Sequence, residues 1–384
     1  MDKVGVKWVG PIWDTSGYAI ATKNNILSLH AEGVKIKVEP HCFEHMQVSV
    51  GTAKEIEILS SLVSSDIKYD IIVSQLTPDM AVQHLESNKY NIAYFAWEST
   101  VVHPKWVSCL NRMHEVWVPS EWNISSLKNS GVIKPIFKIP HSLDPEMFKN
   151  IDPRFAEEIL SVPDSTYLFY SVFQWQPRKN PEALLRSYFN AFSASDNVAL
   201  VLKTYVQDGS SQEQGRVSDM IRRIKRDMLL SHEEYPKVFF IGNKISDGQI
   251  AALHMGCDCL VSMHASEGWG LVPFEAGLAG NPVIATGATG NMEFMNSENS
   301  YPIDYQWEYV NGMSSFNGWY LGNGLWASPN QVHASELMRY VFANRSEAAQ
   351  KGIALQSEIK EKFSHQKIAR LMKSRIEKIR STIL

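Results

Sequence analysis

HASEGWGLVPFEAGLAGNPVIATGATGNMEF, running from His264 to Phe294, is the stretch whose reading decides the fold. The apolar run DCLVSMH leads into it and a second one, NPVIATG, lies inside it, each with the length of a strand buried on both faces. Between them ASEGWG reads as a loop and VPFEAGLAG as a helix. Pro273 suits that helix's first turn, and Gly280 followed by Asn281-Pro282 ends it. Strand, loop, helix, strand is the unit of a parallel sheet, because parallel neighbours need a crossover long enough to be a helix. In such sheets ligands collect at the carboxyl ends of the strands.

The same alternation extends in both directions. YLFYSVF, VALVLKTY and KVFFIGN precede the quoted stretch, and VGVKWVG, KIKVEP, YDIIVSQ, NIAYFAW and EVWVPS form an earlier series, which a strand-like PIFKIPHSLD follows. The polar, Pro-containing segment from Pro145 to Ser165 separates the two series. At about 150 residues per domain, 384 residues make two domains. The expectation is an α/β protein with one doubly wound parallel sheet in residues 1–145 and another in 146–364.

An apolar share of 44% and a charged share of 20% are those of an ordinary folded chain. The net charge of −4 excludes a protein that grips nucleic acid over its whole surface, which needs a surplus of Lys and Arg. Of the four cysteines, Cys42, Cys109, Cys257 and Cys259, only the last two are close, and no second pair stands at zinc-site spacing. Both are expected as buried thiols on one strand face, in a chain kept in a reducing cytoplasm. No apolar run approaches the ~18 residues of a membrane span, and the N-terminus lacks the pattern of an export signal.

The chemistry-bearing residues cluster at predicted strand ends. The amides of the ASEGWG loop and the following helix N-terminus converge on one point, a place for phosphate. Glu275, expected in the first turn of that helix, faces the same rim and can accept from paired hydroxyls, while Glu267 sits on the loop. In FQWQPRKNPEALL, Arg178 and Lys179 follow a strand and can clamp a diphosphate as negative charge grows on it. Lys203, ending VALVLKTY, is a further phosphate candidate. The loop of VGPIWDTSGYAI carries Gly10 and Gly17 but is not GxGxxG, which argues against a dinucleotide dehydrogenase. Glu98 and His103, after the strand NIAYFAW, are candidates for positioning or proton handling.

The run SEGWGLVPFEAGLAGNPVIATGATGNMEF resembles the Glu-x7-Glu signature of the retaining nucleotide-sugar glycosyltransferases of family four, also called glycosyltransferases group 1. It has the family's EGFG-type loop, a helix with the second Glu, a small-residue turn, PV-I-A-T and a Gly-x-x-E ending. VWVPSEW resembles its V-x-V-P-S element, and KIPHSLDPEMF its P-H-G-V-D-x-x-x-F element with Ser142 in place of Gly. From GWYLGNGLWASP onward the chain is similar to the family's closing helices. The likeness covers most of the chain and is strongest from Tyr167 to Tyr305.

The resemblance implies the GT-B fold, with two Rossmann-like domains facing a central cleft and a last helix, about 365–384, returning to the first domain. It implies that Glu275 holds the donor ribose, that Glu267 contacts hydroxyls of the donor sugar, and that the backbone of Gly268, Trp269, Gly270 and Leu271 meets sugar and diphosphate. Thr289, Gly290 and Glu293 fall in the matching tail. The Gly17 loop would lie near phosphates and acceptor, and Glu98 and His103 near sugar or acceptor. Aligning the family's Lys with Lys179 puts its earlier Arg at Phe173, so either Arg178 substitutes for it or the register is shifted.

The implied activity is transfer of a hexose-type sugar from a UDP- or GDP-linked donor to a hydroxyl of a glycan, lipid-linked or protein acceptor. No Asp-x-Asp pair occurs, so the expectation is an enzyme without metal or cofactor, acting in the cytoplasm and not on nucleic acid. The basic, amphipathic tail from Glu358 to Leu384 reads first as a helix packed on the body and second as a peripheral membrane contact. Two rival readings are a nucleotide-sugar-binding subunit without activity and a sugar-nucleotide epimerase. The oligomeric state is not legible.

Overall fold

The computed structural model describes residues 5–42, 51–152, 163, 165–207, 209–229, 235–313 and 318–383. The chain divides into two compact units, one of Met1–Asp144, Trp319–Gly324 and Glu361–Leu384, the other of Pro145–Gly318 and Leu325–Lys360. Of the polar segment from Pro145 to Ser165, residues 153–162 and 164 lie outside the described residues, and Pro145–Phe148 forms a 3-10 turn.

The first unit holds a sheet of β1 (Gly5–Pro11), β2 (Lys35–His41), β3 (Ile71–Ser74), β4 (Tyr90–Tyr94), β5 (Glu115–Val118) and β6 (Ile136–Lys138), in the order β2-β1-β3-β4-β5-β6 with every pair parallel. β3 and β5 are buried at every position, which is why their sequences read as continuous apolar runs. The second unit holds β7 (Tyr167–Gln174), β8 (Val198–Tyr205), β9 (Lys237–Ile241), β10 (Cys259–Ser262), β11 (Val283–Thr286) and β12 (Tyr301–Ile303), again all parallel, in the order β12-β11-β10-β7-β8-β9. From β7 the chain steps outward to β8 and β9, then crosses back to place β10 on the other side of β7. The connections leaving β7 and β10 therefore lead toward opposite edges of the sheet, which makes these two strands its topological switch point.

Both sheets match the expected doubly wound α/β architecture. Two features differ from the sequence reading. GWYLGNGLWASP does not enter a helix: its Trp319–Gly324 part belongs to the first unit, and Leu325–Pro329 is a strand, β14, antiparallel to β13 (Tyr305–Tyr309). Trp319 stacks on Trp106 at 4.6 Å and Tyr320 on Trp97 at 4.7 Å, so buried aromatic surface holds that segment where it is. In addition, Cys257 caps the end of the helix Asp247–Gly256 and only Cys259 lies in β10, so the two thiols do not share a strand face. Both are buried, and burial pushes both thiols upward.

The closing helix His365–Ile383 belongs to the first unit and packs on the helix Gly17–Ala31, burying Ile368, Met372, Ile376 and Ile379. Those four residues of its apolar stripe are thus used inside the protein, while Leu371 is exposed. Arg375 donates to both carboxylate oxygens of fully buried Glu115, which also accepts from Trp117 Nε1 at 2.6 Å and Tyr90 OH at 3.0 Å. Among the described residues no helix is long and apolar enough to cross a membrane.

Candidate functional site

The site assembles at the β7–β10 switch point. Beyond β7 the chain makes a 3-10 turn, Pro177–Lys179, then Asn180 takes the left-handed conformation at φ 52° and Pro181 opens the next helix. Ala265, on the loop after β10, donates its N–H to the Arg178 carbonyl at 2.7 Å, which locks the two connections together. Arg178 Nη1 donates to Ser266 O at 2.7 Å and to Glu267 Oε2 at 3.2 Å, and Lys179 Nζ donates to Glu267 Oε1. Only 9% of Glu267 is exposed, and a carboxylate so buried stays charged only when paired. Burial alone would raise its pKa, but Lys179, Arg178 and His264 together hold it down, at about 2. One buried acid and two cations are thus concentrated at a single point where β7 and β10 end.

The loop bearing Glu267 is braced from β11. Glu267 N–H donates to Thr289 Oγ1 at 3.0 Å, and Gly290 N–H donates to Glu267 O at 2.8 Å. A Cβ on Gly290 would overlap the Gly268 carbonyl, so only glycine fits there. Behind them, fully buried His264 pairs through Nδ1 with Ser262 Oγ at 2.9 Å and through Nε2 with Asn291 Oδ1 at 3.0 Å, and Asn291 Nδ2 donates to Thr286 O at 2.9 Å. Burial brings His264 down to about 4, so it braces the loop as a neutral ring near pH 7. His264 and Asn291 were missed from sequence; the available signal was a polar residue at the exit of an apolar run.

Gly270 N-caps the helix Leu271–Ala279 in the left-handed region at φ 90°. Trp269 is buried against Phe274 and Phe294, at 5.4 and 5.2 Å, so its ring serves the core and what Gly268, Trp269, Gly270 and Leu271 can offer a ligand is mainly backbone. Glu275 lies elsewhere than expected: it is the fifth residue of the helix, beyond the first turn, and 5% exposed. One of its oxygens, Oε2, is 3.3 Å from His254 Nε2. Phe173 is part of the apolar core of the second unit, with its ring 6.3 Å from that of Trp175. Lys203 is buried at the end of β8, with its ammonium 5.3 Å over the Tyr205 ring. Burial pulls it down to about 8 against the opposing pull of Glu213.

The remaining candidates belong to the first unit. Gly17 is the exposed first residue of its helix, which Ser16 caps by accepting from Ala19 N–H at 3.1 Å. Glu98 accepts from Tyr320 OH at 2.9 Å. His103 caps the helix Pro104–Leu110, accepting at Nδ1 from Lys105 N–H at 3.2 Å, with its ring edge-on to Trp319 at 5.2 Å. The returning Trp319–Tyr320 segment thus gathers Glu98 and His103 into one cluster. Among the described residues no group of three His, Cys, Asp or Glu side chains is placed to hold a metal.

Residues 155–300 match the family described as Glycosyl transferases group 1. Over 330 residues the chain is 21% identical to alpha-1,3/1,6-mannosyltransferase ALG2 of Homo sapiens, covering 79% of this chain and 72% of that one. Sucrose-phosphate synthase from Thermosynechococcus elongatus is similar in structure with a TM-score of 0.70 at 14% identity, covering 99% of this chain and 100% of the other. Anabaena HepE in complex with UDP-glucose gives 0.67 at 15%, covering 98% of this chain and 99% of that one. The resemblance read in the run from Glu267 to Glu293 therefore holds: residues 155–300 are those of a glycosyl transferases group 1 protein, and the two parallel sheets are those of the GT-B fold.

Proposed function

We propose that this chain transfers a hexose from a UDP- or GDP-linked donor to a hydroxyl of a glycan, lipid-linked or protein acceptor, with retention of anomeric configuration and without a bound metal. The observation that carries the reading is the buried acid Glu267 held between Arg178 and Lys179 at the switch point, beside the N-terminus of the helix Leu271–Ala279. The human relative is named for mannosyl transfer and the Anabaena structure holds UDP-glucose, so both belong to hexose chemistry.

On this reading the donor diphosphate lies against Lys179, Arg178 and the amides around Gly270. Their positive charge stabilises the leaving group as the glycosidic bond breaks, the work a metal does in other transferases. Glu267, kept ionised by its two partners, accepts from sugar hydroxyls, and Glu275 accepts from the ribose. The acceptor hydroxyl attacks the face the nucleotide leaves, and its proton passes to the departing phosphate oxygen, so no side-chain nucleophile is needed. Thr289 holds the Glu267 backbone, Lys203 supplies a more distant positive charge, Gly17 belongs near the donor phosphates and the acceptor, and Glu98 and His103 near the sugar or the acceptor. The site of action is cytoplasmic.

The test is nucleotide release from a panel of UDP-, GDP- and ADP-hexoses, with and without glycan acceptors, in the presence of a chelator. Acceptor-dependent release that survives chelation, giving a product with the donor's anomeric configuration, is expected. Donor isomerised without acceptor marks an epimerase, and donor bound but never consumed marks a binding subunit; either overturns the proposal.

A further inference from the structure

Behind Glu275 lies a chain of buried polar groups that the site itself does not use. Tyr170 is on β7, His254 in the helix Asp247–Gly256, and Asn281 just past the helix that carries Glu275. Tyr170 and His254 are fully buried. Asn281 Nδ2 donates to Tyr170 OH at 2.8 Å, Tyr170 OH is 2.7 Å from His254 Nδ1, and His254 Nε2 is 3.3 Å from Glu275 Oε2.

One direction satisfies every member. The Asn281 Nδ2 group can only donate, so the Tyr170 oxygen accepts from it and its own proton points at His254. Burial pushes the Tyr170 hydroxyl far above its ordinary range, so it keeps that proton. His254 Nδ1 then accepts, the ring is the tautomer protonated at Nε2, and Nε2–H donates to Glu275 Oε2. The second oxygen of Glu275, Oε1, has no hydrogen-bond partner among the described residues.

We infer that Tyr170 and His254 are positioning residues for Glu275, a relay that fixes one carboxylate oxygen so that the other is presented to the ribose hydroxyls of the nucleotide. This rests on the proposed role of Glu275 as the ribose-holding acid, and it adds the residues that give this acid its aim. Tyr170 and His254 stand 84 residues apart in sequence, and neither belongs to a motif that marks it for such a task.

The test is calorimetric titration of the full chain with whichever of UDP and GDP it binds, against the 2′,3′-dideoxy form of the same nucleotide. The unmodified chain is expected to prefer the ribonucleotide. His254→Asn keeps a polar group toward Tyr170 but does not reach Glu275, and is expected to lose about tenfold in ribonucleotide affinity, the scale of one charge-assisted hydrogen bond, with dideoxy affinity unchanged. His254→Gln, whose amide reaches toward the position of Nε2, is expected to restore most of the preference. Tyr170→Phe removes one oxygen and little volume, and is expected to lose part of it, which keeps the relay testable if His254→Asn fails to fold. A ribose preference left intact in Tyr170→Phe or in folded His254→Asn overturns the relay. Glu275→Ala separates the two levels: if it abolishes the preference while the relay variants keep it, only the relay is wrong, and if it keeps the preference, the ribose role of Glu275 falls and the relay with it.

Discussion

Glu267 shows how a single side chain can be both buried and ionised. Its desolvation is offset by two cations brought to it from a different strand, and neither Arg178 nor Lys179 has that partner until β7 and β10 are side by side. Because its folded pKa, about 2, lies below its unfolded value, the clamp contributes stability that is present above the ordinary carboxylate range and is lost as pH falls through that range toward 2. Urea midpoints measured between pH 5 and pH 2 are expected to fall less steeply for Glu267→Gln than for the unmodified chain. If Lys179 meets the donor diphosphate as proposed, Lys179→Met is expected to lower turnover about a hundredfold, the usual cost of one transition-state donor, in the nucleotide-release assay. Residue type and spacing offered the two acids and the basic pair as candidates. Their pairing was not, since 88 and 89 residues of sequence separate the partners.

At the scale of elements, the loop from Ala265 to Gly270 owes its shape to the turn after β11. Gly290 is the tightest point, and Gly290→Ala is expected to destabilise the protein by about 1–3 kcal/mol through overpacking and to weaken nucleotide binding as the loop shifts, read by thermal unfolding and titration. Gly352→Ala is the matching control: its Cβ would meet the Gly280 carbonyl, at the far end of the Leu271–Ala279 helix, so it should cost stability with less effect on binding. At the end of β8, Lys203 titrates near pH 8. If its charge serves the phosphates, nucleotide affinity should fall as pH rises through about 8 and this limb should vanish in Lys203→Met. The stability effect has the opposite sign: between about 8 and 10.5 the unfolded chain holds the proton that the folded chain has lost, so Lys203 favours folding increasingly as pH rises. Period and turn chemistry revealed the strands before Tyr301, because buried parallel strands are continuous apolar runs. They did not reveal β13 and β14, whose pairing is antiparallel and whose first strand is largely exposed.

For the molecule as a whole, the last helix completes the first unit. Arg375→Ala leaves the fully buried Glu115 carboxylate without its cation and is expected to cost about 3 kcal/mol or more, seen as a lower urea midpoint. Adding Glu115→Gln should recover part of that loss, since the buried charge is then gone. A likeness in the closing region pointed to this return, whereas the second return, by Trp319 and Tyr320, had no sequence signal beyond two aromatic residues in an irregular segment. The sequence by itself determined two α/β units, the strands that build their sheets and the glycine-framed acidic loop, because those depend on burial periodicity and local backbone chemistry within a few turns of chain. Only the tertiary structure decided that Arg178 and Lys179 close on Glu267, that Glu275 lies a turn deeper against His254, and that Phe173 goes to the core. Those outcomes depend on strand order, which sets distant residues side by side, and no local pattern encodes which strand is the neighbour of β7.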